Sequence, residues 1–463
     1  MKPNFTIKDF LSVKGSKYNG VNLGRKKFTG VAIDSRIVSK DEVFIAIKGE
    51  NTDGHLYLTD VFKRGCKLVV VSSKSYTVLR EKFKNKNFII VKDTTKYLGQ
   101  LAQNHLKNNR VPVLCVAGSN GKTTTKDLIS EVLSKRYSIL KTEGNLNNHI
   151  GLPLTLLRLN KSHNFCVLEI GSNYFGELKY LCEICKPDFG LVTNIGKEHL
   201  EFFINLKGVA KAEFELYDYL KKNNGMCFLN LDDKFVSSYS KKVKKENKFT
   251  YSFKYNADVK GKFIEFNKKF QPVISVRYKN KEFTTSVNTF GLHSIFNGLA
   301  AVSTGLYFDI KISDIKSALQ NFNASSSKRM EVEMHKGVMI VNDAYNSNPD
   351  SVKLGLETIK KFKTKGKKYI VLGDMLELGK SSKKEHSDVG KLASEMKFEN
   401  LYTYGPESYN THKSAKSVKN NFYFTDKQIL GDLLKHDLKK DDIVYVKGSR
   451  GMKMEDVIKI ITS

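Results

Sequence analysis

Gly118, Gly121, Lys122 and Thr123 fall within Gly-Ser-Asn-Gly-Lys-Thr-Thr-Thr-Lys, a spacing suited to gripping a polyphosphate. Glycine at two of these positions lets the backbone turn tightly. The N–H groups of Gly118, Ser119, Asn120 and Gly121 can then face phosphate oxygens, with Lys122 as a mobile point charge. The Thr123 hydroxyl suits a magnesium ion that bridges the phosphates, and Thr124 follows it. The spacing is Gly-x-x-Gly-Lys-Thr, because Val116 stands where the longer, general phosphate loop has its first glycine. The plain alternative is a glycine-rich turn carrying a solvated lysine.

The flanking segments decide between the two. Val111 to Ala117 is a short apolar run of the kind a buried parallel strand shows, while Leu128, Ile129, Val132 and Leu133 recur at helical spacing. A helix opening directly after the loop points its positive dipole end at the same anion. Strand, loop and helix together favour a nucleotide site.

Other polar residues sit where apolar runs end. Glu169 closes Phe165-Cys-Val-Leu-Glu, and a lone acid in such a strand is costly unless it is paired or bound to metal. His199 follows a strand at Gly190 to Ile195, where a packed or capping histidine is the ordinary reading. Asn145, Asn147 and Asn148 make the segment after the first helix too polar for a core. Asp343 ends a strand at Met339 to Asn342, and Asn346-Ser347-Asn348-Pro349 reads as a turn and helix cap.

The chain has 463 residues, more than one core normally serves, so two to three domains are expected. The formal charge of +30 would suit a nucleic-acid binder, but the excess is lysine spread in pairs, and arginine, which forks onto bases and phosphates, is scarce. Solvated faces are the simpler reading. No long apolar run and no signal-peptide core appear, so a cytoplasmic protein without membrane insertion is expected. The six cysteines show no disulfide framework, and Cys182-x-x-Cys185 lies in a helical pattern ending before Pro187. A helix face is favoured there over a metal site.

The loop Gly-Ser-Asn-Gly-Lys-Thr-Thr-Thr-Lys, Asp34-Ser35-Arg36, Gly49-Glu50-Asn-Thr-Asp53-Gly-His55, Asn145-x-Asn147-Asn148-x-Ile-Gly-x-Pro and Thr193-Asn-Ile-x-x-x-His199-Leu together resemble the Mur ligases, the amide-forming, ATP-dependent ligases of peptidoglycan synthesis. The resemblance spans the chain. It implies an α/β protein of three domains: residues 1–94 binding the UDP substrate, 95–325 a central ATP-binding domain with a parallel or mixed sheet, and 326–463 a doubly wound, Rossmann-like domain. It implies that Ser35 and Arg36 meet the uridine diphosphate, and that Asn145, Asn147 and Asn148 meet the muramoyl or phosphate part of the substrate. Glu169 and His199 become magnesium ligands beside Thr123, in a site for ATP with two ions. His293 and Asn297, in Gly-x-His-Ser-x-x-Asn, become adenine-side contacts, with Ser294 where the family has asparagine. Arg329 is expected at the γ-phosphate and Asp343 at the ribose.

Val209-Ala-Lys211-Ala-Glu213-Phe-Glu-Leu-Tyr217 departs from the family, which places a lysine, modified to a carbamate, four residues before the aromatic. Counting back from Tyr217 gives Glu213. A glutamate supplies equivalent carboxylate oxygens, so Glu213 is expected to serve the second metal, with a carbamylated Lys211 as the alternative. Asp343-Ala-Tyr-Asn-Ser-Asn-Pro-Asp-Ser, Gly373-Asp-Met-Leu-Glu-Leu-Gly with His386, and Lys447-Gly-Ser-Arg450 match the branch that adds D-alanyl-D-alanine to UDP-N-acetylmuramoyl-tripeptide. On that match Asn346, Asn348, Lys447, Ser449 and Arg450 are candidates for orienting the dipeptide, and a monomer is expected. A ligase with another amino-acid acceptor, or a nucleic-acid-stimulated ATPase, are the competing readings.

Overall fold

The five residues of Val113–Ala117 are all buried, as an apolar strand covered on both faces requires. In the computed structural model, which describes residues 3–198, 200–323 and 331–463, this strand lies inside the second of three sheets.

The first sheet runs in the order β1 (Lys17–Asn19), β5 (Phe88–Val91), β4 (Val69–Ser72), β3 (Glu42–Ile45), β2 (Gly30–Ala32), parallel except for β1. Its helix Thr94–Asn108 carries Tyr97, Leu98, Leu101 and Leu106 into a core shared with the second sheet. The Tyr97 hydroxyl also donates to the Phe10 carbonyl at 2.8 Å. The two sheets are therefore fastened by a common helix.

The second sheet has nine strands, ordered β14 (Lys281–Ser286), β13 (Pro272–Tyr278), β12 (Val259–Phe266), β11 (Lys248–Ser252), β10 (Met226–Asn230), β9 (Phe189–Val192), β6 (Val113–Ala117), β8 (Phe165–Glu169), β7 (Ile139–Lys141). The stretch 250–290 alternates and is rich in lysine, a pattern that predicts antiparallel edge strands. The hairpins β12–β14 supply them, but β11 pairs in parallel with both β10 and β12 and extends the parallel body. The Glu177–Cys185 helix holds Cys182 and Cys185, both buried, with Cys185 Sγ 3.5 Å from that of Cys115.

The third sheet is ordered β15 (Glu331–His335), β16 (Val338–Asp343), β20 (Ile443–Lys447), β17 (Lys368–Gly373), β18 (Asn400–Tyr404), β19 (Asn420–Phe424), parallel but for β15, with helices on both faces as a doubly wound sheet requires. The third sheet's helix Pro349–Lys361 packs toward the second sheet, where Phe362 meets Phe266 and Phe270 at ring distances of 5.3 and 4.8 Å. Among the described residues no helix is long and apolar enough to cross a membrane. Ser325-Ser-Ser-Lys328, a plausible hinge by its composition, lies outside the described residues.

Candidate active site

Gly118 and Gly121 hold left-handed φ values of +112° and +79°, which is why glycine occupies both positions. A Cβ at Gly118 would come within 2.7 Å of the Thr193 nitrogen, and one at Gly121 within 2.5 Å of Asn297 Oδ1. The loop is seated on the end of β9: the Ser119 N–H donates to the Asn194 carbonyl at 2.9 Å, and the Asn120 N–H to Asn194 Oδ1 at 3.2 Å. The Lys122–Leu133 helix follows directly, burying Leu128, Ile129, Val132 and Leu133 as their spacing predicted.

Lys122 Nζ donates to the Gly118 carbonyl and lies 3.3 Å from Glu198 Oε2. Glu198 did not stand out in the sequence, where it was only a flank of the histidine motif. Lys126, four residues past Lys122, is 2 % exposed and donates to the Thr142 carbonyl at 2.7 Å. Thr142 Oγ1 accepts the Glu169 N–H at 3.0 Å, so a buried ammonium braces the strand end that carries Glu169.

The loop opens on a cavity of about 760 Å³ between the second and third sheets. Ser119 to Thr124, Asn145, Asn147, Asn148, Glu169, Glu198 and Asn297 line it from one side, and Asp343, Asn346, Asn348 and Lys447 from the other. Glu169 Oε1 accepts from Asn147 Nδ2 at 2.9 Å, whereas its buried Oε2 has no hydrogen-bond partner. A buried carboxylate oxygen left unpaired at a cavity wall fits a hard cation, and the Thr123 hydroxyl lines the same space. Asn297 Oδ1 accepts from Thr125 Oγ1 at 3.1 Å, and its Nδ2 is buried without a partner. It thus braces the phosphate loop from beneath Gly121, a role the sequence did not reveal, and presents one amide donor.

Across the cavity, Asp343 Oδ2 accepts from Lys447 Nζ at 2.7 Å and from the Tyr445 hydroxyl at 3.0 Å. Burial, and then Asp343 beside it, raise the Tyr445 phenol well above its ordinary range, so it stays a donor. Asn348 caps the Pro349–Lys361 helix through the Ser351 N–H and sends Nδ2 to Asn120 Oδ1 at 2.9 Å.

Several expected roles meet a different geometry. Glu213 does not line the cavity: it is 1 % exposed beneath the loop, where Oε2 accepts the Gly118 N–H at 2.6 Å. Lys211, its alternative, is exposed and lies over the Phe175 ring at 5.5 Å. Lys447 lines the cavity but is held on Asp343 and the Asn346 carbonyl, the second at 3.0 Å. Ser449 is buried and accepts the Leu376 N–H at 2.9 Å, and Arg450 is paired with Glu455 at 2.8 Å, so neither reaches the cavity. Asn148 is spent in part on capping the helix at Gly151. Ser35 and Arg36 lie in the first sheet's loop, where the exposed Arg36 grips Asp34 at 2.7 Å and holds that carboxyl at about 2. His199, Arg329 and the side chain of His293 lie outside the described residues.

A phosphate loop on a parallel strand, facing a second doubly wound sheet across one polar cavity, defines a nucleotide-dependent enzyme assembled from two sheets. Residues 27–106 match the catalytic domain of the Mur ligase family, 116–305 the Mur ligase middle domain, and 328–450 the Mur ligase glutamate ligase domain. The chain belongs to the Mur ligase family. It is similar to the UDP-N-acetylmuramoyl-tripeptide--D-alanyl-D-alanine ligases of Bacillus subtilis, at 33 % identity over 93 % of this chain and 92 % of that one, and of Borreliella burgdorferi, at 30 % over 98 % and 99 %. Among solved structures it resembles the Thermotoga maritima MurF ligase in complex with ADP, with a TM-score of 0.80, 26 % identity and coverage of 94 % and 97 %. The fold also matches MurF from Acinetobacter baumannii at a TM-score of 0.89 and 24 % identity, covering 100 % and 99 %.

Proposed function

We infer that the chain is an ATP-dependent ligase that joins D-alanyl-D-alanine to UDP-N-acetylmuramoyl-tripeptide in peptidoglycan precursor synthesis. The observation that carries this is the single cavity holding the phosphate loop, Glu169 and the Asn346 to Asn348 turn of the third sheet. A carboxylate does not condense with an amine at neutral pH, so the γ-phosphoryl group is first passed to the tripeptide's terminal carboxylate. The amine of the dipeptide then attacks the acyl phosphate, and phosphate leaves. Phosphoryl transfer asks for positioning and charge neutralisation.

Because the Gly118, Ser119 and Asn120 N–H groups donate to Glu213 and Asn194, the Gly121 N–H, the first amides of the Lys122–Leu133 helix and Lys122 hold the β- and γ-phosphates, and Lys122 exchanges Glu198 for them. Thr123 and Glu169, with His199, would hold magnesium, and the chemistry it would supply there is charge neutralisation. Glu213 shapes the loop from below. Asn145 and Asn147 face the acceptor, while Asn346 and Asn348 face the incoming dipeptide. Asp343, fixed by Lys447 and Tyr445, meets the ribose, and Arg329 the γ-phosphate. Residues 1–94, with Ser35 and Arg36, hold the uridine diphosphate; the enzyme works in the cytoplasm as a monomer. Purified protein is expected to form ADP only when both the UDP-linked tripeptide and D-alanyl-D-alanine are present, and Lys122→Ala to abolish it. ADP formation with another amine in place of the dipeptide would overturn the acceptor assignment.

A further inference from the structure

The turn Gly196 to Glu198 touches both halves of the site. On one side the Gly196 N–H donates to Ser119 Oγ at 2.8 Å, and Glu198 pairs with Lys122. On the other, the Lys197 N–H donates to Asp350 Oδ2 at 2.8 Å, and Lys197 Nζ reaches both oxygens of Glu385 at 2.8 Å. Asp350 belongs to the first turn of the Pro349–Lys361 helix, and Glu385 to the helix Ser382–Glu395. The turn fits tightly between them: a Cβ at Gly196 would lie 2.9 Å from both Asn120 Nδ2 and Asp350 Oδ2.

Glu385 is 8 % exposed in its side chain, so its charge is largely removed from water. A carboxylate in that position is costly without its cation. The two ends of the Pro349–Lys361 helix are held differently. Phe362 holds the far end through Phe266 and Phe270, an apolar contact that tolerates sliding. The near end, which carries Asn348 and the cavity wall, is held to the second sheet by Lys197 and by the Asn348–Asn120 bond.

We propose that Lys197 is a positioning residue that locks the third sheet onto the phosphate loop through Glu385 and Asp350. Lys197 touches no reacting atom. It fixes where Asn346 and Asn348 stand relative to the loop, and its neighbour Glu198 ties the same turn to the lysine that phosphates engage. The proposal deepens the ligase reading of the same cavity and rests on it for the kinetic test below.

The test compares Lys197→Met, Lys197→Arg, Glu385→Gln and the exchange Lys197→Glu with Glu385→Lys in the full chain. Hydrogen exchange around Glu385 in the Ser382–Glu395 helix, with Mg-ADP bound, needs no assumption about the substrates, and the backbone bond from Lys197 N–H to Asp350 stays in every variant. Faster exchange there in Lys197→Met and Glu385→Gln is expected, with recovery in the arginine and exchanged variants. Displacement of a reacting centre by about 1 Å lowers turnover by about 100-fold, so kcat for ligation is expected to fall on that order. If the wild type shows no ligase activity but the exchange pattern appears, the lock stands and the functional reading fails. Unchanged exchange and kcat in a folded Lys197→Met protein overturn the lock, as does an equal loss in the arginine and exchanged variants. A melting temperature lowered alike in all four, with no difference in exchange between them, assigns the residue to stability and also overturns it.

Discussion

Replacing Glu213 separates two roles for the carboxylate beneath the phosphate loop. The sequence pattern placed it at a second metal, whereas the structure sets its Oε2 on the Gly118 N–H at 2.6 Å in a pocket where the residue is 1 % exposed. Alanine leaves that buried N–H without its acceptor, at a cost of about 1–3 kcal/mol. Gly118 holds its left-handed φ of +112° between this carboxylate and Thr193, so the loop relaxes away from its phosphate-binding form. The cost then falls on the nucleotide and raises KM for ATP by roughly 5- to 150-fold. Glu213→Gln keeps an oxygen able to accept the same N–H, and its KM is expected to stay near that of the wild type. Coupled-enzyme measurement of ADP formation gives KM at saturating magnesium, and a magnesium titration at saturating ATP gives the half-activating concentration. The loop role leaves the latter unchanged in both variants. A rise of about tenfold or more in the magnesium requirement of Glu213→Ala, with KM for ATP unchanged, refutes it and restores the metal role.

Glu169→Gln replaces one oxygen of a carboxylate whose Oε2 is buried and unpaired at the cavity wall, so magnesium activation is expected to weaken by about 10- to 100-fold while melting is little changed; a titration of activity against magnesium decides it. Lys126→Met removes the ammonium that holds the Thr142 carbonyl, and a loss of about 1.5–3 kcal/mol in chemical denaturation is expected, with lowered activity through Glu169. Wild-type stability with wild-type turnover would rule out that brace. Burial pushes the Cys166 and Cys227 thiols up to about 12, leaving roughly one in ten thousand ionised at pH 8, so mass spectrometry should find neither alkylated until the chain unfolds. Because these folded-state values lie above the unfolded value of 9.0, the stability the two thiols contribute is complete below about pH 9 and is lost as pH rises toward about 12. Melting curves at rising pH follow that decline.

Local patterns were the legible ones. The phosphate loop could be read because strand, glycines, lysine and helix are contiguous, and the structure keeps them so. Apolar strands of four or more residues were visible, whereas β7, three residues long, and β19, which begins Asn-Asn, lacked the run that marks a strand. Pairings across the fold could not be read. Lys122 meets Glu198 from 76 positions away and Asn120 meets Asn348 from 228, and neither distance leaves a trace in spacing. Glu213 shows the remaining difficulty: a motif gives a residue's place in the chain, but not that its Oε2 accepts the Gly118 N–H of the loop above it. Lys447, Ser449 and Arg450 fall within one tetrapeptide, yet one faces the cavity, one is buried against Leu376 and one is on the surface with Glu455.

In the second sheet β6 lies between β8 and β9, and all three run in parallel. The loop after β6, the acid ending β8 and Asn194 after β9 thus leave adjoining strands at one edge, separated by the strand interval of about 4.8 Å. Warming cannot widen that interval without tearing the ladder apart. The grip on the phosphates should therefore persist until the sheet itself melts, while amide formation, which also needs the neighbouring sheet in place, fails at a lower temperature.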